Sequence, residues 1–196
     1  MAVWTCATMP RFSQGFLEES IGLTLTVRAV IGIHFHAYLA CKELGITDQE
    51  FMKGISTYQG AAKRLQKLAE KNQATVYLDF AHSPSKLKAT IHAVRAQYPE
   101  RKLIACMELH TFSSLNADFL PQYGNTMNEA DKAIVFFNPE VVRHKQLPEI
   151  KPNDVRQGFN HPGLEVFTEN GKLIELLQQQ DYHNTVLLIM TSGNFS

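Results

Sequence analysis

The sequence predicts an α/β fold with a mostly parallel sheet that helices cover on both faces. Two observations predict it. From Thr75 to Met190, short apolar runs typical of buried strands alternate with helix-prone segments. The composition is also that of a globular chain able to bury a core, with 44% hydrophobic and 19% charged residues among 196.

The first part of the chain favours helices. Residues 1–20 show no clear period, whereas residues 33–43 place apolar side chains at helical spacing and end at Gly45. Thr47 then begins a helix that runs to about Tyr58, and Glu50 stands where a capping box needs it. Residues 61–70 are helix-prone as well.

The rest of the chain alternates between the two kinds of element. The expected strands lie at 75–79, 102–107, 133–137, 164–167 and 186–190. The expected helices lie at 84–97, 118–127, 153–159 and 170–180.

Charge and hydropathy exclude several classes of function. Nineteen basic residues balance nineteen acidic ones, so no broad field attracts nucleic acid or an anionic membrane. No apolar run approaches the roughly 20 residues of a membrane span, and Met1 to Pro10 do not resemble a secretory signal. A cytoplasmic location is expected.

The three cysteines lack metal-ligand spacing and are interpreted as reduced and structural.

The end of the first predicted strand carries a carboxylate and an imidazole. Residues 79–84 read D-F-A-H-S-P, so Asp79 and His82 precede a helix that Pro84 begins. Ligands of parallel sheets bind beyond the carboxyl ends of strands, where Asp79 can hold ribose hydroxyls and His82 can meet a phosphate. Alternatively, Asp79 only caps the helix and His82 is a surface histidine.

This segment resembles the D-Y-A-H-x-P motif that opens the C-terminal domain of the Mur ligases. The likeness covers roughly residues 32–194 and is closest to the UDP-N-acetylmuramate:L-alanine ligases and the murein peptide ligases. It implies a Rossmann-like three-layer α/β/α domain with a six-stranded sheet. It also implies a helical remnant of the central domain at residues 1–65 and the C-terminal domain at residues 66–196.

The resemblance implies further nucleotide contacts upstream. Residues 58–65 are similar to the family segment F-x-G-x-x-R-R, in which an arginine reaches the ATP phosphates, and Arg64 matches the second arginine. His34 matches the histidine of the family segment G-x-H-N-x-x-N, although Phe35 and Tyr38 replace both asparagines. A Lys-Arg pair on an exposed helix and a packing histidine are the alternatives for these two positions.

Two later strand ends carry candidate substrate-binding residues. Residues 108–114, E-L-H-T-F-S-S, correspond to P-H-x-Y-S-R-T of the alanine-adding enzymes without its arginine, and make His110 and Thr111 candidates. The loop after the last strand resembles the terminal loop of the family and adds Ser192, Gly193 and Asn194. A polar turn without a ligand is the alternative for these loops.

The resemblance implies a role in peptidoglycan biosynthesis or recycling, with ATP and Mg²⁺ as cofactors of the complete enzyme. UDP-N-acetylmuramate and L-alanine or a murein peptide would be its substrates.

The sequence has no phosphate-binding loop of the type G-x-x-G-K-T, since Gly171-Lys172 is followed by Leu173. The chain is therefore expected to be inactive alone, as a fragment or a decayed reading frame. No metal ligand is assigned. The alternatives are a binding module that associates with itself through the central-domain docking surface and a folylpolyglutamate synthetase-like domain.

Overall fold

The computed structural model describes residues 36–57 and 62–193. They fall into two compact units, divided between Gln59 and Gly60. The smaller unit contains helical residues 36–43 and helix α1 (Asp48–Ile55). The capping box is confirmed, because Glu50 N donates to Thr47 Oγ1 at 3.3 Å and Thr47 N donates to Glu50 Oε2 at 2.9 Å. His34 and the N-terminal lead-in lie outside the described residues.

The larger unit is an α/β domain built on one six-stranded sheet, in the order β1-β2-β6-β3-β4-β5. Its strands are β1 (Gln66–Lys71), β2 (Ala74–Asp79), β3 (Lys102–Glu108), β4 (Lys132–Phe136), β5 (Glu165–Phe167) and β6 (Thr185–Met190). Its helices are α2 (Pro84–Gln97), α3 (Pro139–His144), α4 (Pro152–Phe159) and α5 (Asn170–Gln178). Only β1 pairs antiparallel with its neighbour, so the expected mostly parallel six-stranded sheet is confirmed.

The centre of the sheet is buried on both faces. Residues 103–108 of β3 are at most 1% exposed, although their side chains alternate between the two faces. On one face, Ile104 and Cys106 pack in a cluster with Leu173 of α5. Such a strand must have cover on both sides, which agrees with the expected α/β/α layers.

The helix expected at residues 61–70 is wrong, because residues 66–70 belong to strand β1. Asn72 and Gln73 both have positive φ and form the two-residue turn that folds β1 back on β2. Lys63 and Leu65 also have positive φ, at 55° and 46°, which no helix accommodates. Hairpin pairing thus overrides local helix propensity.

The helix expected at residues 118–127 is also wrong. The chain forms only a short 3₁₀ turn at Leu120–Tyr123 and then bends through Asn125, whose φ is 61°. The Tyr123 ring stacks on Phe159 of α4 at a centroid distance of 4.9 Å, so tertiary packing holds this segment. Helix α3 was not predicted, since six residues are too few to establish a helical period.

Two further expectations concern hydropathy and thiol chemistry. Within residues 36–57 and 62–193, no helix is both long and apolar enough to cross a bilayer. Burial, and next the nearby Glu108 carboxylate, raises the pKa of Cys106 to about 12, which keeps this thiol neutral and unreactive.

Strand register brings three polar strand ends to one edge of the sheet. In the parallel ladders, Asp79 of β2 lies opposite Met190 of β6, which in turn lies opposite Met107 of β3. Strand β6 is the middle strand of these three. The loop after β6 therefore leaves the sheet between the loops that follow β2 and β3.

Candidate functional site

The carboxylate of Asp79 organises the chain around the end of β2. Its Oδ2 accepts from Leu65 N at 2.7 Å, and its Oδ1 accepts from Ala81 N at 2.7 Å and Thr90 Oγ1 at 3.4 Å. Asp79 as a whole residue is 9% exposed. Asp79 thus joins the segment before β1 to the turn that leads into α2.

Arg64, Phe80 and His82 form a row of side chains beside this carboxylate. The Arg64 guanidinium lies 5.5 Å from the centroid of the Phe80 ring, and the Phe80 and His82 rings meet in a T-shaped arrangement with their centroids 5.1 Å apart. His82 Nδ1 lies 2.9 Å from the Phe80 carbonyl oxygen. Because a carbonyl only accepts, Nδ1 carries the proton and a neutral ring has its lone pair on Nε2. Arg64, Asp79, Phe80 and His82 are called the β2-end cluster below.

A second group of residues joins the ends of β3 and β6. The Glu108 side chain is 2% exposed, and its Oε1 lies 3.7 Å from His110 Nδ1. Its Oε2 accepts from the Thr191 hydroxyl. Gly193 N donates to the same hydroxyl oxygen at 2.8 Å. Glu108, His110, Thr191 and Gly193 are called the β3–β6 cluster below.

Gly193 is placed where no larger residue fits. A Cβ atom on it would lie 2.8 Å from Glu108 Oε2, 2.8 Å from His110 Nδ1 and 2.9 Å from His110 Cγ. The backbone of the terminal loop therefore lies directly against the carboxylate and one edge of the imidazole. Close backbone approach is the physical reason for glycine at this position.

The remaining predicted residues have local roles or lie outside the described chain. Thr111 Oγ1 is 2.9 Å from Ser114 Oγ and accepts from Ser114 N at 3.2 Å, so its hydroxyl closes the turn after β3. Ser192 Oγ is buried and has no hydrogen-bond partner among the described residues. Asn194, like His34, lies outside the described residues.

The sequence predicts Asp79 and His82 at one strand end and Arg64 as a further nucleotide contact, and the structure places all three side chains beside the end of β2. It assigned no role to Glu108 or Thr191, although both follow apolar runs directly. Thr191 also contacts the other cluster, because its N–H donates to the Asp79 carbonyl oxygen at 3.0 Å. A polar residue that ends a buried strand was the available signal for both.

The mostly parallel sheet with helices defines a Rossmann-like α/β domain, a class of fold in which ligands bind at the carboxyl edge of the sheet. Comparison with protein families matches residues 63–193 to the family described as Mur ligase, glutamate ligase domain. The chain belongs to this family. Its resemblance to the C-terminal domain of Mur ligases is thereby confirmed.

Individual relatives agree with this membership. The UDP-N-acetylmuramate–L-alanine ligase of Agathobacter rectalis is 24% identical over 191 residues, which are 96% of this chain and 41% of that protein. The crystal structure of UDP-N-acetylmuramate-alanine ligase from Thermotoga maritima superposes with a TM-score of 0.64 and 13% identity, over 85% of this chain and 35% of that one. The chain spans about a third to two fifths of the length of the curated relatives it matches.

A folate enzyme shares the fold. The bifunctional folylpolyglutamate synthase/dihydrofolate synthase of Yersinia pestis, solved with AMPPNP and a Mn ion, superposes with a TM-score of 0.54 at 17% identity. The match covers 86% of this chain and 37% of that structure. At such identity the likeness concerns the fold alone.

Proposed function

We propose that this chain is the C-terminal part of an ATP-dependent ligase that joins L-alanine or a murein peptide to UDP-N-acetylmuramate, in peptidoglycan biosynthesis or recycling. In this proposal, residues 1–65 belong to the central domain and 66–196 to the C-terminal domain. The observation that carries it is the row of Arg64, Phe80 and His82 at the end of β2 in a member of this family.

Arg64 is proposed to bind the nucleotide phosphates. Its side chain is exposed, and the central carbon of the guanidinium lies over the Phe80 ring, 5.5 Å from the ring centroid. A contact between a cation and a ring uses none of the guanidinium N–H groups as hydrogen-bond donors, and these N–H groups suit phosphate oxygens. ATP would supply the phosphoryl group that activates the carboxylate substrate.

Asp79 and His82 are proposed to bind the ribose and the phosphates. An ionised carboxylate offers about four acceptor positions. Three donors from the described residues reach Asp79, two at Oδ1 and one at Oδ2, and we assign the remaining acceptor position on Oδ2 to a single ribose hydroxyl. Because His82 Nδ1 donates to the Phe80 carbonyl, Nε2 accepts from a hydroxyl when the ring is neutral and donates to phosphate only as the imidazolium. His34 is proposed to complete the nucleotide side.

The loops after β3 and β6 are proposed to bind the amine substrate, through His110, Thr111, Ser192, Gly193 and Asn194. The Ser192 hydroxyl is buried and has no hydrogen-bond partner within residues 36–57 and 62–193, so it can offer a donor and an acceptor beside Gly193. The proposal assigns no residue of this chain to Mg²⁺. Among the residues that the structure describes, no three His, Cys, Asp or Glu side chains group closely enough to hold a metal ion.

The proposal is tested by titrating the chain with MgATP and following backbone amide resonances. We expect saturable shifts of the amide resonances at residues 62–65 and 79–82 with a Kd of roughly 1 mM, which corresponds to a binding free energy of about 4 kcal/mol in magnitude. Arg64→Ala should weaken binding several-fold. Arg143→Ala is the matched control, since Arg143 is 75% exposed on α3. Absent shifts, or equal weakening by both substitutions, would contradict the proposal.

A further inference from the structure

Glu108 is a buried acidic residue that the nucleotide and substrate contacts proposed above leave without a role. It ends β3, and only 2% of its side chain is exposed. Burying a carboxylate is costly unless other groups bind it. Its contacts in the β3–β6 cluster therefore indicate what it does.

The hydrogen bonds around Thr191 have a definite direction. Gly193 N donates to Thr191 Oγ1 at 2.8 Å, which occupies the acceptor side of the hydroxyl. The hydroxyl proton therefore points to Glu108 Oε2, which accepts it. This arrangement holds the carboxylate still and directs its other oxygen toward His110.

The carboxylate distinguishes the two nitrogens of His110. Oε1 lies 3.7 Å from Nδ1, where its negative charge favours a proton on Nδ1 over a lone pair. The lone pair of the neutral ring then lies on Nε2. Gly193 covers the edge of the ring that carries Nδ1 and Cγ, while 32% of the side chain is exposed.

We propose that Glu108 is a positioning residue that holds His110 as the Nδ1–H tautomer, so that His110 Nε2 accepts a proton from the ammonium group of the amine substrate. The inference rests on the proposed function, because an amino acid or peptide arrives as R–NH₃⁺ and attacks only as R–NH₂. Nε2 takes one proton, the freed lone pair forms the C–N bond to the acyl phosphate carbon while the C–O bond to phosphate breaks, and the second proton that the nitrogen loses goes to the departing phosphate. The Glu108 carboxylate stabilises the resulting imidazolium.

The tautomer is measured directly by long-range ¹H–¹⁵N correlation of the histidine side chains in the whole chain, with the ring neutral. We expect His110 in the Nδ1–H form and loss of that preference in Glu108→Gln, whose amide carries no charge. Glu165→Gln is the control, since this carboxylate pairs with Lys132 at 2.9 Å and is 41% exposed. An Nε2–H tautomer in the unaltered chain, or no change in Glu108→Gln, overturns the proposal.

Two further variants keep the test decisive if Glu108→Gln folds poorly. Thr191→Val removes the hydroxyl that holds Glu108 and should weaken the Nδ1–H preference, whereas Thr191→Ser should retain it. Equal spectra from both variants count against the proposal.

Titration with L-alanine, and separately with a murein tripeptide, distinguishes this inference from the proposed function. A shift at His110 Nε2 that Glu108→Gln abolishes supports both. A shift that Glu108→Gln leaves intact overturns the role of Glu108 alone. No shift with either compound overturns His110 as proton acceptor, and the MgATP titration then decides separately whether the nucleotide side of the proposed function stands.

Discussion

The two clusters at the carboxyl edge of the sheet are built differently. In the β2-end cluster, the Arg64 side chain is exposed. The Asp79 carboxylate there accepts hydrogen bonds from backbone N–H groups of the turn before α2 and of the segment before β1. The β3–β6 cluster buries its carboxylate and binds it to a residue 83 positions away. The β2-end cluster therefore depends largely on local chain conformation, whereas the β3–β6 cluster requires the complete sheet.

The largest expected effect is on the β3–β6 cluster. Thr191→Val leaves both the Glu108 carboxylate and the Gly193 N–H without this partner in a buried place, which should lower the free energy of unfolding by about 3 kcal/mol. Urea unfolding measures the loss. Thr191→Ser keeps the hydroxyl and should cost about 1 kcal/mol or less, from one lost methyl group. Similar losses in the two variants would show that the hydroxyl does not hold the cluster.

Gly193→Ala should have the next largest effect. Its Cβ would lie under 3 Å from atoms of Glu108 and His110, so one side chain must move, at a cost of about 1–3 kcal/mol. Thermal unfolding and the His110 resonances report the change. Gly171→Ala on α5 is the matched control, because its Cβ meets nothing within 4 Å, and it should gain up to about 1 kcal/mol. If Gly193→Ala leaves the stability unchanged, the loop after β6 is not fixed against the Glu108 carboxylate.

The β2-end cluster should respond more weakly and more locally. Asp79→Ala removes the acceptor of Leu65 N and Ala81 N, and should cost about 1–2 kcal/mol. Hydrogen exchange should accelerate at Leu65 and Ala81 first. The exposed Asp118 provides the control substitution, Asp118→Ala. If exchange accelerates equally throughout the sheet, the carboxylate supports the whole domain and the contrast between the clusters fails.

Substitution of Asp131, a carboxylate at the opposite end of the sheet, should cause the smallest loss of stability. It serves as a reference for the two clusters. Burial opposes ionisation of Asp131, but hydrogen bonds from Leu103 N and Arg95 outweigh it, so the pKa of Asp131 lies below its usual 3.8. A lowered pKa stabilises the fold above pH 3.8, and this contribution is lost as the pH falls through the folded-state pKa. Because half the side chain is exposed, Asp131→Asn should cost about 1 kcal/mol or less.

The pH dependence of the stability of Asp131→Asn tests whether the charge of Asp131 is the source of this effect. Acid unfolding curves of the unaltered chain and of Asp131→Asn should converge once the pH has fallen through the folded-state pKa of Asp131, which lies below 3.8, because Asp131 is then protonated and both side chains are uncharged. A difference that persists unchanged into strong acid would show that charge is not the source of the stabilisation.

Local pattern predicted the parts of the molecule that local interactions determine. The capping box of Thr47 and Glu50 and the strand that ends at Asp79 follow from neighbouring residues. The pairing of Glu108 with Thr191 depends on β6 entering the sheet beside β3, and chain order does not reveal that placement. Strand β1 was missed for a related reason, since its residues favour a helix until the turn at Asn72 pairs them with β2.

The exposed strand β1 also limits how copies of this domain can meet. All six of its residues are exposed, Lys67 and Glu70 form an ion pair at 2.8 Å, and the register shifts between Lys67 and Ala69. A further strand added to this edge would have to desolvate those charges and follow an irregular ladder. Such an edge resists the sheet-to-sheet polymerisation that a flat, apolar outer strand invites.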